Sequence, residues 1–315
     1  MADITLRAVT QTQGPTAALK DGTVRPRRYR LEFEEVPVVV QAFRRMVRSL
    51  EFDVSEMAMT TYLCAKSFGK PFTAVPVFLE RGLHHDAIVR AATADITGPK
   101  DLEGRTVGVS RGYTVTTGFW TRVILQDEYG VDLSRVTWAP SGDEHVTEFH
   151  PPANVIPLPD NGSLAERVAA GNPQAAVGIR PDRAGLAPLI PDAADAAFRA
   201  LRDRGFYPIN HVLVVKDELL SAHPELAADL FQAYAEAKAR YLGRLASGSA
   251  EDPAPRDMMY RRVLDITGAD PLPYGIEPNL AMLELLIQHA VAQAILPEPV
   301  PVEELFAAGT HALSG

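Results

Sequence analysis

The stretch Asp101-Leu-Glu-Gly-Arg-Thr-Val-Gly-Val-Ser-Arg-Gly-Tyr-Thr-Val-Thr-Thr-Gly118 carries the reading of the fold. Its segment Thr106–Val109 is short, largely β-branched and bounded by polar residues, the pattern of a buried strand. A polar turn follows, and a helix opens at 114–117. That helix start offers backbone N–H groups without intrahelical partners and the positive end of a dipole. With the hydroxyls of Thr114, Thr116 and Thr117 it suits an anion. Arg111 adds a guanidinium fork for a carboxylate, and Tyr113 an aromatic face that can stack on a ring or merely cover it. No Gly-Lys-Ser/Thr closes the turn, so a nucleotide P-loop is excluded and a carboxylate is the better fit. An ordinary capped helix without a ligand has the same residues.

Working outward, strand and helix patterns alternate. Strands are expected over 5–9, 30–34, 52–55, 72–79, 87–91, 136–139, 155–158, 175–179 and 209–215. Helices are expected over 38–50, 60–68, from 114 to about 129, and over 164–170, 224–245, 256–266, 279–294 and 302–308. Such alternation argues for parallel sheets flanked by helices. Breaker-rich joints at 97–101 and 204–208 divide the chain. Residues 1–95 with 207–315 form one lobe, and 96–206 form an inserted second lobe of ordinary domain size. Two crossovers of that kind suit hinge closure over a ligand held at the sheet ends.

Bulk properties narrow the class. A chain of 315 residues, 46% of them hydrophobic, buries one large or two medium cores. Its net charge of −9 disfavours nucleic acid and anionic membrane as partners. The single Cys64 excludes an intramolecular disulfide and reads as a packing thiol. No apolar run approaches the ~20 residues of a membrane span. The N-terminus, Met-Ala-Asp-Ile-Thr-Leu, has no charged-then-apolar signal pattern, and a soluble, cytoplasmic protein is expected.

Several blocks then carry a family resemblance. They are Phe52-Asp-Val-Ser-Glu-Met-Ala-Met-Thr-Thr-Tyr62, Val75-Pro-Val-Phe78 with His84-His-Asp-Ala-Ile88, and 102–131 with Phe119-Trp120 and Tyr129-Gly130-Val131. Ile179-Arg-Pro181, Gly205-Phe-Tyr-Pro-Ile-Asn-His211, Pro273-Tyr-Gly275, Asn279 and Glu303-Glu-Leu-Phe306 complete the set, in the same order over nearly the whole chain. Together they resemble type II periplasmic-binding-protein folds and, more narrowly, the 4,5-dihydroxyphthalate decarboxylase family. The resemblance implies a two-lobe α/β fold with an interlobe cleft and removal of one carboxylate from 4,5-dihydroxyphthalate to give protocatechuate. It implies no cofactor.

Such chemistry needs donors for two carboxylates, an acceptor for the catechol and an acid near the ring carbon. The resemblance points to His85 with Asp86 as an acid–base pair, although the family usually carries a small hydroxyl residue where Asp86 stands. Adjacent strand residues face opposite ways, so only one of His84 and His85 can reach a cleft. Arg180, at a strand's carboxyl end, suits bidentate carboxylate recognition. His211 begins a return strand and is a further catalytic candidate, or a satisfied hinge histidine. Thr60, Thr61 and Tyr62 open a helix that offers the first lobe an anion site of its own, or are simple caps. The cluster Asp143-Glu144-His145-x-x-Glu148-x-His150 has metal-ligand residue types, but matches no tight spacing and lies in a proline-bounded loop, so no metal is assigned. Apolar stripes at Leu280, Leu283, Leu286, Ile287 and Ala290, and at Leu226, Leu230, Ala233 and Ala237, read mainly as lobe packing, with a homo-oligomer left open.

The expected protein is a decarboxylase acting on a small aromatic carboxylate. Two alternatives stay open: a cytoplasmic solute-binding or sensor protein for a carboxylate or heterocycle, and an enzyme of the same fold making a menaquinone or pyrimidine precursor.

Overall fold

The structure, a computed structural model, describes residues 4–159, 162–248 and 254–315. In chain order the elements begin β1 Ile4–Val9, α1 Ala17–Lys20, β2 Tyr29–Phe33, α2 Val39–Ser49, β3 Val54–Ala58, α3 Met59–Ser67 and β4 Phe72–Arg81. They continue β5 Ile88–Ala91, β6 Thr106–Val109, α4 Thr116–Asp127, β7 Thr137–Pro140, α5 Leu164–Ala169, β8 Ala175–Val177, β9 Leu186–Pro188 and α6 Ala193–Arg204. Last come β10 Ile209–Lys216, α7 Asp217–Ala222, α8 Leu226–Ser247, α9 Pro255–Thr267 and α10 Leu280–Ala292. Among the described residues no helix is long and apolar enough to cross a membrane.

The chain divides into two compact units, one of residues 1–81, 209–288 and 298–315, the other of residues 82–208 and 289–297. In the first unit the sheet order is β2-β1-β3-β10-β4. β1 is parallel to β2 and β3, while β10 runs antiparallel between β3 and β4. All five residues of β3 are buried, as befits a strand covered on both faces. α2 buries Val39, Ala42, Phe43, Met46 and Val47, the spacing of one apolar helix face, and ends on Leu50 in the left-handed region. α8 buries Leu226, Leu230, Ala233 and Ala237 of the expected stripe and stops at Gly248, whose φ of 69° any side chain would resist. In the α10 stripe Leu283, Leu286, Ile287 and Ala290 are buried and Leu280 is exposed.

The second unit's sheet runs β7-β6-β8-β5-β9. β6 is parallel to β7 and β8, and β5 pairs antiparallel with β8 and β9. Val89, Leu164, Val168 and Ala176 form one core cluster. α4 buries Phe119, Trp120, Val123 and Ile124.

Several expectations are corrected. The first boundary lies at Arg81–Gly82 rather than near residue 95, because β5 finds its hydrogen-bond partners in the second sheet. Residues 289–297 also belong to the second unit. The strand expected over 155–158 reduces to one bridge, Val155 with Trp138, flanked by the Ile156 and Leu158 N–H groups donating to Trp138 O and Pro140 O. β8 ends at Val177, where Gly178 takes φ 83° and turns the chain. The helix expected over 302–308 is only a 3-10 turn, Val302–Leu305. The charged run 199–204 lies on α6, which buries Ala193, Ala196, Ala197, Ala200 and Leu201 on its other side.

Candidate active site

In the first unit the chemistry collects at the carboxyl ends of β3 and β4. Glu56 sits on β3, His211 on the neighbouring β10 and Glu80 on β4. His211 is opposite Glu80 and opposite Ala58, two residues from Glu56, so the three side chains share one face of the sheet. The register of β4 against β10 shifts on either side of His211, a bulge in the Pro76–Leu79 region that re-aims Glu80. His211 Nδ1 lies 2.6 Å from Glu56 Oε1 and 3.4 Å from Glu80 Oε2. Gln11 N–H donates to Glu56 Oε2 at 2.7 Å. Arg256 Nη2 lies 2.9 Å from Glu80 Oε2. The Phe43 ring meets the imidazole edge-on at 5.1 Å. Burial works against an imidazolium here, yet the Glu80 charge and the hydrogen bond and charge of Glu56 outweigh it, and the His211 pKa is raised.

These three residues are also the grouping of carboxylates and imidazole, among the described residues, whose ligand atoms come within 4.8 Å of one another. The geometry is that of a proton. A nitrogen–oxygen separation of 2.6 Å is a charge-assisted hydrogen bond, whereas two donors sharing one ion at ~2.1 Å stand about 3 Å or more apart.

Thr60, Thr61 and Tyr62 lie in the first turn of α3 and are fully buried. The Tyr62 hydroxyl donates to Leu305 O and accepts from Ala74 N–H at 3.2 Å. Both of its roles go to backbone, so Tyr62 is a tether rather than a ligand-facing group.

In the second unit the turn before α4 does hold a carboxylate, the chain's own. Tyr113 N–H donates to Glu144 Oε1, and Thr114 donates to Glu144 Oε2 from its N–H at 3.1 Å and its hydroxyl at 2.6 Å. A Cβ on Gly112 would stand 2.6 Å from Glu144 Oε2, so a side chain there would push the carboxylate aside. Tyr113 stacks on Phe149 at 6.5 Å, and the Arg122 guanidinium lies over the Tyr113 ring, 4.0 Å from its centroid. Arg122 is fully buried, donating from Nε to Gln293 Oε1 and from Nη2 to Tyr113 O, each at 2.7 Å. Thr116 is buried and Thr117 half-buried in the first turn of α4. Arg111 is exposed, with φ 64°, and its N–H donates to Ser141 Oγ.

His85 and Asp86 do not form the expected pair. They lie on a 3-10 turn, His85–Ala87, ahead of β5, and both His84 and His85 are buried. His85 Nε2 sits 3.0 Å from Glu128 Oε2, and Glu128 also pairs with Arg204. Burial opposes the Glu128 charge, but the His85 hydrogen bond and the charges of His85 and Arg204 prevail and lower its pKa. Asp86 meets Arg180 Nε at 3.1 Å, so the arginine expected to hold a substrate carboxylate holds one already. Burial raises the Asp86 pKa against the pull of Arg180.

Sequence reasoning missed Glu56, Glu80, Glu128 and Arg122. The available signal was a charged residue inside an apolar run: Glu56 in Val-Ser-Glu-Met-Ala, and Arg122 in Phe-Trp-Thr-Arg-Val-Ile-Leu. The acidic loop 143–150 contributes Glu144 to the α4 turn rather than to a cluster of ligands.

Two sheets of this order and direction define a type II periplasmic-binding-protein-like α/β fold. The periplasmic aliphatic sulphonate binding protein SsuA from Escherichia coli superposes with a TM-score of 0.57 at 13% identity, covering 97% of this chain and 92% of that one. By sequence the chain is similar to 4,5-dihydroxyphthalate decarboxylases. That of Comamonas testosteroni is 28% identical over 283 residues, 84% of this chain and 85% of that protein. That of Pseudomonas putida is 30% identical over 148 residues, 44% of this chain and 57% of that protein. No family model matches the chain.

Proposed function

We propose that this protein is a carboxy-lyase that removes one carboxylate, without oxidation, from a hydroxylated aromatic dicarboxylate. 4,5-Dihydroxyphthalate is the first candidate substrate and protocatechuate the product. The observation that carries the reading is the similarity to a decarboxylase of that name along 84% of the chain.

The reaction is physically coherent. Each ring hydroxyl of this substrate lies para to a carboxylate. Loss of the hydroxyl proton pushes electron density onto the carbon that bears the carboxylate. That carbon takes a proton, the bond to the carboxylate breaks, its electron pair restores the ring and carbon dioxide leaves. The protein must therefore supply donors for carboxylates and an acid for the ring carbon. Arg111, Thr116 and Thr117, beside the turn that Glu144 fills, are the proposed carboxylate-holding groups of the second unit, and Thr60 and Thr61 those of the first.

The test is to mix purified, chelator-treated protein with 4,5-dihydroxyphthalate and follow carbon dioxide and protocatechuate. Formation of both supports the reading. A rise in melting temperature without product would instead mean binding without chemistry, and neither response would remove this substrate.

A further inference from the structure

We propose that His211 is the proton donor of this decarboxylation, acting from Nε2, and that Glu56 and Glu80 are the positioning residues that align its ring. The proposal rests on the activity reading above and names the acid within it.

Three adjacent strands present the three side chains on one face, so the contact is set by sheet register rather than by flexible loops. Both carboxylates engage the same nitrogen, Nδ1, at 2.6 and 3.4 Å. Each carboxylate is itself fixed, Glu56 by the Gln11 N–H and Glu80 by Arg256. Phe43 closes on the ring edge-on. Rotation of the imidazole would break the Nδ1 contacts, so the other nitrogen keeps one direction. Nε2 has no hydrogen-bond partner among the described residues, and the His211 side chain retains 13% exposure.

His85 and His289 also pair with carboxylates, and neither has this geometry. His85 and His289 spend Nε2 on Glu128 and Asp127, and in each the remaining Nδ1 is buried without a partner. Their free nitrogen is sealed in protein, while the His211 side chain keeps part of its surface exposed. An imidazole fixed at one nitrogen by carboxylate and free at the other is the arrangement that moves protons in acid–base catalysis.

The charged groups around His211 are Glu56 from β3, Glu80 from β4 and Arg256 from α9. Tyr234 of α8 and Tyr260 of α9 lie close enough to feel these carboxylates, and burial drives both phenols far above their ordinary range. They do not compete for the proton. In the step itself Nε2–H is transferred to the ring carbon, a C–H bond forms and the C–C bond to the carboxylate breaks. The neutral imidazole then regains a proton from water.

The test combines a titration with kinetics on the full chain. The His211 imidazole is followed by NMR in wild type, Glu56→Gln and Glu80→Gln, and kcat is measured against pH with 4,5-dihydroxyphthalate. Wild-type His211 should stay protonated above the ~6.5 of free histidine. Each glutamine variant should titrate lower by about one unit, with the alkaline limb of kcat moving by the same amount. His211→Asn should lower kcat at least about 100-fold, with substrate Kd changed less than threefold. Wild-type turnover together with His211→Asn turnover within about threefold would overturn the proposal, as would glutamine variants that titrate like wild type. Absence of turnover in wild type would instead remove the reaction itself, and the role with it.

Discussion

Removing the Glu144 carboxylate should unseat the turn before α4, and the cost can be worked from its contacts. Glu144 accepts from the Tyr113 and Thr114 N–H groups and the Thr114 hydroxyl. Tyr113 and Thr114 are 3% and 1% exposed, so neither N–H has ready access to water. Hydrogen bonds to a charged acceptor contribute about 1.5–3 kcal/mol each, and the three here are not additive because one carboxylate makes all of them. Glu144 is itself half-buried, so water can enter part of the space it leaves. Glu144→Ala should therefore destabilise the second unit by about 2–4 kcal/mol. Glu144→Gln, which keeps an acceptor oxygen but not the charge, should lose roughly half of that. The assay is urea denaturation with and without sodium benzoate. An added carboxylate at ten times its Kd should restore about 1.4 kcal/mol to the alanine variant and little to wild type, where the cradle is filled. A loss below about 0.5 kcal/mol, the ordinary surface range, would refute the reasoning.

Two further outcomes follow from individual contacts. Tyr62→Phe should cost about 1–2 kcal/mol in denaturant, because Leu305 O and Ala74 N–H lose a shared partner. Ligand affinity measured by calorimetry should stay unchanged, and a weakened Kd would return Tyr62 to the binding surface. Arg45 grips Glu51 through two bonds of 2.6 Å, and that hydrogen bonding holds the Glu51 pKa down to about 2, against desolvation and with help from the Arg45 and Arg7 charges. A carboxyl depressed on folding contributes stability above its unfolded pKa, about 4.3, and loses it as pH falls toward 2. Glu51→Gln should flatten the fall in urea midpoint across that window, and an unaltered slope would show that the pair contributes nothing.

How far the chain is legible depends on the range of the interaction concerned. Alternating strand and helix patterns gave the α/β class, since burial of one face imprints a period on the residues themselves. The strand at 106–109 and the helix after it were legible for this reason. So was an anion-binding turn at Tyr113 and Thr114, because unpaired N–H groups follow from where a helix begins. That the turn holds Glu144 was not legible, as thirty intervening residues had to fold before the loop could return. The same holds for β5, which reads as a strand anywhere but belongs to the second sheet only through its pairing with β8 and β9.

The sequence by itself determined most of the strands and helices, that two lobes would be built from them, and which residue types were available for acid–base and carboxylate chemistry. It marked His85, Asp86, Arg180 and His211 as candidates, and the only partners it offered, His85 with Asp86, were not the ones these residues take. Tertiary structure alone decided that His85 turns to Glu128, that Asp86 and Arg180 meet each other, and that His211 stands between Glu56 and Glu80. The physical reason is that a hydrogen bond acts over about 3 Å, whereas these partners lie far apart along the chain. For His211, the register of β10 between β3 and β4, with the bulge beside Glu80, brings Glu56 and Glu80 within that reach.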